Sequence, residues 1–299
     1  MVEYCDSRGV PHARVGKLIV AVSAAELPRL HELHARGVAN GVPGIEILSA
    51  GGLRALEPYC SGVGAVRCPG TGIVDFASVG RAFAADVVGD GGSVRCGAAV
   101  VGMAGAGGGD FRGGVAVRLS DGSVVEASRV ITCAGAYADR LAVMAGGSRY
   151  PIILPVRGEY LLLRPGKRRL VRGNIYPVPD ARLPFLGVHF TPRMNGEMWL
   201  GPNAVPALSR EGYSWMDVRV ADVLDVLRSR GAWALGARFA AVGAGEVYRS
   251  LVVSAQVRAL QRFVPEITVD DVMPGPAGCV WSARLGRGEQ YARLPGADV

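Results

Sequence analysis

Lysine is nearly absent from this 299-residue chain: only Lys17 and Lys167 stand among its 33 basic residues. The net charge of +7 is therefore arginine charge, and its only dense run, Lys167-Arg168-Arg169, falls in a turn. A nucleic-acid binder concentrates positive charge on one face or in a basic run, so that class is not expected. A diffuse positive balance suits an enzyme with anionic ligands, because positive potential steers anions. The six cysteines form no CxxC pair, and no His lies near them at metal-ligand spacing. A chain of this size needs no disulfide staples, and the cysteines are expected to be reduced and mostly buried. His31 and His34, three apart on one helix, have no third ligand and read as surface residues. The longest apolar stretch, about 96–109, is rich in Gly and too short to span a bilayer. No signal-peptide pattern opens the sequence. P-loop and nucleophile-elbow motifs are missing too. No GxGxxG follows a strand and opens a helix: Gly105–Gly109 lies between two expected strands, and Gly243-Ala-Gly245 lacks the third glycine.

What remains is a globular composition, 49% apolar and 20% charged, with 43 glycines, roughly twice the usual share. The pattern predicts a turn at the N-terminus and a strand at 16–22. A helix opened by a Ser23-to-Glu26 capping box and ended by Gly37 follows. Then come a loop with a short helix over 42–60 and a helix from about Phe76 to Val88. Strands are expected at Ser93–Cys96 and Ala98–Met103. A hairpin is expected at 115–127 around Asp121-Gly122, and a buried strand at Arg129–Cys133 leading through Ala134-Gly135 into a helix. This order describes the second half of a dinucleotide-binding domain. A small pair at the end of a buried strand lets backbone N–H groups approach a phosphate or ring, although tight packing alone also explains it.

Residues 155–203 alternate short β-type runs with Gly/Pro turns and read as an antiparallel sheet. They collect Arg157, Tyr160, Arg172, Asn174, Tyr176, His189, Thr191, Arg193 and Asn203. Arginine can clamp a carboxylate through two parallel hydrogen bonds, although a surface position is the default for any one of them. His189 is the one histidine in this polar cluster and the candidate general base; a structural histidine is the competing reading. Helices are expected over 214–238 and 246–263. The segment after Gly278 has no clear period and no evident partner element.

Several segments, among them GKLIVAV, EPYCSGVGAVRCPGTGIVDF, VITCAGAYADR, PVRGEYLLL, GNIYPVPDARLPFLGVHFTPRM and WLGPNAV, resemble the D-amino-acid-oxidase-like family of FAD-dependent oxidoreductases. Within it they resemble the branch acting on L-2-hydroxyglutarate, in wording closest to the mitochondrial form of animals. The likeness runs from about Tyr4 to Gly278. It implies an α/β (α+β) fold in which an incomplete FAD-binding Rossmann-like domain carries an antiparallel-sheet substrate domain. On that reading 1–67 and 149–272 belong to the substrate domain, 68–148 to the FAD-binding domain, and 273–299 form a divergent tail. The implied reaction is FAD-linked oxidation of L-2-hydroxyglutarate, a small dicarboxylate, to 2-oxoglutarate. Electrons leave to an acceptor other than NAD, and no transmembrane segment takes part. Val100 and Val101 would border the adenine end of FAD, and Thr132, Ala134 and Gly135 its phosphate–ribityl portion. His189, as base, would face the ring and substrate together with Arg157, Tyr160, Asn174, Tyr176, Thr191 and Arg193. The family's fingerprint helix would precede Met1, and its C-terminal stretch would follow Gly278. The expectation is therefore a truncated form with weak FAD binding and an exposed sheet edge. Two alternatives stay open: an amine or amino-acid oxidase of the same family, and a non-catalytic form that only binds ligands or partners.

Overall fold

The computed structural model describes residues 1–105, 113–180 and 186–283. Its main body is a nine-stranded sheet built around Ile153–Leu163. That strand pairs along one edge with Val272–Ala283, from Ile153 opposite Ala283 to Leu163 opposite Val272. Its other edge pairs with Met198–Gly201 and Val205–Pro206. Beyond Met198–Gly201 lie His189–Pro192, Asn174–Pro177, Lys17–Ala21, Gly64–Cys68 and Glu46–Ser49. The one parallel contact is Asn174–Pro177 against Lys17–Ala21; a long intervening chain is what a parallel pair requires. The antiparallel sheet expected at 155–203 is thus present and is widened by strands from both ends of the chain.

Alternation along these strands gives two unlike faces. One face presents Leu18, Val20, Leu161, Leu163, Ile175, Phe190 and Leu200 to a core closed by the helix Val253–Gln261. On the other face the helix Leu27–Ala39 covers only the end holding Ile19, Ala21 and Val66, through Leu30 and Leu33. The rest of that face carries mostly polar and aromatic side chains, with the buried Leu162 level with Trp199.

The small sheet follows the expected hairpin: Val100–Gly105, Val115–Leu119 and Val124–Ala127 are antiparallel neighbours, turned at Gly122 with φ 86°. The helix Phe76–Gly89 also forms as expected, capped by Asp75, which accepts from the Ala77 N–H at 3.0 Å.

Other expectations are corrected. The N-terminus is a helix, Val2–Arg8, rather than a turn; Tyr4 docks it on Phe76–Gly89 by a 4.8 Å ring contact with Phe83 and a 2.7 Å hydrogen bond to Asp86. Ser23 makes no cap; Glu26 alone reaches back, accepting from the Val22 N–H at 2.8 Å. Gly37 does not end its helix but makes room for Ile45, whose Cδ1 would lie 2.3 Å from a Cβ there. A strand, Glu46–Ser49, lies within the expected loop. Ser93–Cys96 is irregular. Arg129–Cys133 is an exposed irregular segment, with Ile131 89% exposed, and no described strand lies beside it to supply a ladder. The segment after Gly278, expected to lack a partner, pairs over 279–283 with residues 153–157, as the end of the strand Val272–Ala283. Cys5 and Cys60 are buried, Cys68 is half-buried, and Cys96 and Cys133 are exposed. The glycine run expected at 105–109 falls, after Gly105, outside the described residues. Over 214–263, where two or three helices were expected, the described residues form four: Val220–Leu227, Arg230–Arg238, Ala240–Leu251 and Val253–Gln261.

Candidate active site

On the uncovered face the register places Tyr176 beside His189, and Thr191 beside Trp199. The Tyr176 and His189 rings are stacked, with centroids 4.3 Å apart at 15°. The Lys17 ammonium sits 4.7 Å from the Tyr176 ring centroid. Farther along, Tyr160 and Trp199 meet at 4.9 Å, and the Arg193 guanidinium lies 4.1 Å over Trp199. Two cations thus flank a band of four aromatic or imidazole rings. Between them, the buried Thr191 hydroxyl has no hydrogen-bond partner. Opposite His189 stands Gly201, which brings no side chain to the face.

The electrostatics follow from this packing. Burial, joined by the nearby Lys17 charge, drives the His189 imidazole down to about 4, and a 3.1 Å contact between Nδ1 and the Gly187 carbonyl only partly opposes it. His189 is therefore neutral at physiological pH, with Nε2 able to accept a proton when Nδ1 carries the hydrogen. Burial also lowers Lys17, although the Cys68 thiol beside it acts in the opposite sense. Burial raises the Tyr160 phenol, and Tyr176 adds to the rise. A neutral base, a hydroxyl without a partner and two flanking cations are a set that can hold a carboxylate and take a proton from a neighbouring hydroxyl.

Of the other sequence candidates, Arg157, Arg172 and Asn203 lie elsewhere, while Asn174, level with Lys17 and Thr191 on this face, is held by the backbone. Alternation puts Arg157 on the face of Leu161 and Leu163; it is 1% exposed and binds Glu159 at 2.7 and 3.0 Å, with Trp215 stacked on it at 4.6 Å. Asn203 accepts from the Glu159 N–H at 3.0 Å. Asn174 is buried and donates to the Gly16 carbonyl at 2.8 Å, tying the parallel pair together. Arg172 and Gly173 donate their backbone N–H groups to the buried Glu57 carboxylate at 2.6 to 3.1 Å, which anchors the entry to Asn174–Pro177. Sequence reasoning missed Lys17 and Trp199. Each reaches the face through strand register, Lys17 opposite Asn174 and Trp199 opposite Thr191, which no local sequence signal displays.

Of the proposed cofactor residues, Val100 packs on the small-sheet cluster while Val101 is 44% exposed. Thr132 and Gly135 are exposed, and nothing lies within 4 Å of the place a Cβ would take at Gly135. The turn Gly135–Tyr137 packs against Ile153–Leu163. It is locked there by the buried Arg210, which donates to the Ala136 carbonyl and, at 2.8 Å, to Asp139; Asp139 in turn accepts from the Ile153 N–H at 2.9 Å. The turn is thereby tied to the start of Ile153–Leu163, the strand that also carries Tyr160. Among the described residues there is no group of His, Cys, Asp and Glu able to hold a metal ion.

Comparison with known proteins bears on the family and the fold. The family model described as DAO, FAD dependent oxidoreductase, matches residues 2–271. The chain is 44% identical over 284 residues to the mitochondrial L-2-hydroxyglutarate dehydrogenase of Homo sapiens, covering 93% of this chain and 61% of that protein. The Caenorhabditis elegans protein of the same name is 45% identical, covering 92% and 64%. The L-2-hydroxyglutarate dehydrogenase of Salmonella houtenae is 40% identical, with the same shares. The chain thus spans about six-tenths of the length of these relatives. Among solved structures, the L-alpha-glycerophosphate oxidase of Mycoplasma pneumoniae superposes with a TM-score of 0.67 at 20% identity, over 92% of this chain and 63% of the other. The glycine oxidase of Geobacillus kaustophilus superposes with 0.63 at 19%, over 98% and 67%. By its sheet, its helices and a match over most of its length, the chain belongs to the DAO family of FAD-dependent oxidoreductases.

Proposed function

We propose that this chain carries the substrate-binding face of an FAD-dependent dehydrogenase that oxidises L-2-hydroxyglutarate to 2-oxoglutarate. The observation that carries the reading is the neutral His189, stacked on Tyr176, on a face that also bears the Arg193 guanidinium. The relatives named for this reaction support it. Bound FAD would supply the two-electron acceptor for the hydride on the substrate's hydroxyl carbon. Val101, Thr132, Ala134 and Gly135 would border it on one side and the Tyr160–Tyr176–His189 face on the other. His189 takes the hydroxyl proton. Arg193 holds a carboxylate, and the Thr191 hydroxyl hydrogen-bonds to the substrate. Arg157, paired with Glu159 on the opposite face, supports the sheet from below. The same proposal extends the mitochondrial location of the animal relatives to this chain.

The test is anaerobic mixing of the FAD-loaded protein with L-2-hydroxyglutarate. Bleaching of the flavin absorbance with stoichiometric 2-oxoglutarate is expected. Bleaching by a D-amino acid or glycine, and none by L-2-hydroxyglutarate, would overturn the reading in favour of an amino-acid oxidase.

A further inference from the structure

A dicarboxylate presents two anionic groups, but only one of its carboxylates neighbours the hydroxyl carbon that reacts. The site face offers two cations in unequal positions. Lys17 is level with Asn174, and the pairing of Ile175 with Phe190 makes Asn174 level with Thr191. Lys17 and Thr191 therefore stand across one intervening strand, about 10 Å apart at the backbone. Arg193 lies two residues beyond Thr191 in one direction and His189 two residues in the other, each step about 7 Å. The imidazole and the ammonium share one neighbour, the Tyr176 ring, at 4.3 and 4.7 Å. The guanidinium rests instead on Trp199, on the far side of the Thr191 strand. The base and Lys17 thus belong to one end of the site and Arg193 to the other.

We propose that Lys17 binds the carboxylate adjacent to the reacting hydroxyl carbon, while Arg193 takes the distal carboxylate and so sets the preference for a dicarboxylate. This assignment rests on the dehydrogenase reading above. A lysine suits the near end. Its compact charge on a flexible stem meets a carboxylate without the planar fork of arginine. Beside His189 it also disfavours a second positive charge, keeping the imidazole free to accept a proton.

The test compares Lys17→Met and Arg193→Met, in the FAD-loaded protein, on L-2-hydroxyglutarate and on L-2-hydroxybutyrate, which lacks the distal carboxylate. Lys17→Met should lower kcat/KM on both acids by about 10- to 100-fold, the loss of one charge-assisted hydrogen bond. Arg193→Met should lower it on the dicarboxylate alone. Calorimetric binding of 2-oxoglutarate and 2-oxobutyrate should follow the same pattern without turnover. In Lys17→Met the acid limb of the pH profile should move upward, because a nearby cation has been removed, and Lys17→Arg should restore it. If Lys17→Met matches the parent protein, or loses the dicarboxylate selectively, the assignment is wrong while the dehydrogenase reading stands. If the parent protein oxidises only L-2-hydroxybutyrate, the dicarboxylate reading falls and the role of Lys17 survives.

Discussion

His189 shows how a single side chain acquires a property its sequence position does not display. A histidine in a polar segment suggests an ordinary imidazole near 6.5. Here burial, joined by the smaller effect of the Lys17 charge, holds it near 4. In a general-base role such a group works whenever it is deprotonated. kcat/KM should therefore hold as pH falls toward 5 and decline only near pH 4, rather than through the 6 to 7 range; a pH–rate profile on the FAD-loaded protein checks this. Removing the base with His189→Gln should lower kcat by about 10²- to 10⁴-fold, with KM changed by only a few-fold. Equal losses in binding and turnover would point to a structural histidine instead. Arg157 teaches the converse. Its residue type fits a carboxylate clamp, yet strand alternation turns it to the core side, where Glu159 already occupies its fork.

At the scale of elements, the strand Val272–Ala283 supports the site from its edge. It pairs along the whole of Ile153–Leu163, which carries Tyr160. Near Gly275 the two backbones come so close that a Cβ there would lie 2.7 Å from the Tyr160 carbonyl oxygen, whereas at Gly278 nothing lies within 4 Å. Gly275→Ala should therefore cost about 1–3 kcal/mol in denaturant unfolding and displace Tyr160, as overpacking against rigid backbone does. Gly278→Ala should stay within about 0.5 kcal/mol of the parent protein. Equal effects at the two positions would mean that the register shift between Pro274 and Ala277 does not bring the strands together as described. The sequence showed this segment only as a Gly/Pro stretch without period, because its partner lies more than a hundred residues earlier in the chain.

At the scale of the whole molecule, a largely buried ionic network joins segments far apart in the chain. Arg210 is 2% exposed and binds Asp139 on the helix after the Gly135 turn, while its backbone N–H donates to Asp222 at 2.8 Å. Arg140 bridges Asp222 and Asp225 at 2.6 and 2.8 Å. The Gly135–Tyr137 turn, the start of the central strand and the helix Val220–Leu227 are thereby joined. Arg210→Met leaves the buried Asp139 carboxylate without its guanidinium partner and should cost about 3–5 kcal/mol. Burial by itself would raise Asp139, but the Arg210 hydrogen bond and the Ile153 N–H outweigh it and hold the carboxyl below its usual range. A carboxyl lowered by folding adds stability above its unfolded value, near 3.9, and that stability is lost as pH falls through the lowered folded value. Thermal melts between pH 5 and pH 2 should show this loss, and it should be smaller in Asp139→Asn. An identical acid slope in the two proteins would exclude Asp139 as its source.

The alternation in PVRGEYLLL, the Asp121-Gly122 hairpin and the amphipathic run after Asp75 were determined locally, by periods and turn chemistry that need no distant partner. The family followed from the same stretches, and so did the choice of His189, Tyr176 and Arg193. Which of two faces a residue looks toward, and what stands beside it there, came only with the tertiary structure. Lys17 joined the site through a parallel pairing with Asn174 across more than 150 residues. Arg157 left it because its strand turned the guanidinium toward Glu159. The apolar run at Arg129–Cys133 has strand-like chemistry, but a strand exists only where a neighbour accepts its hydrogen bonds, and no described strand does so.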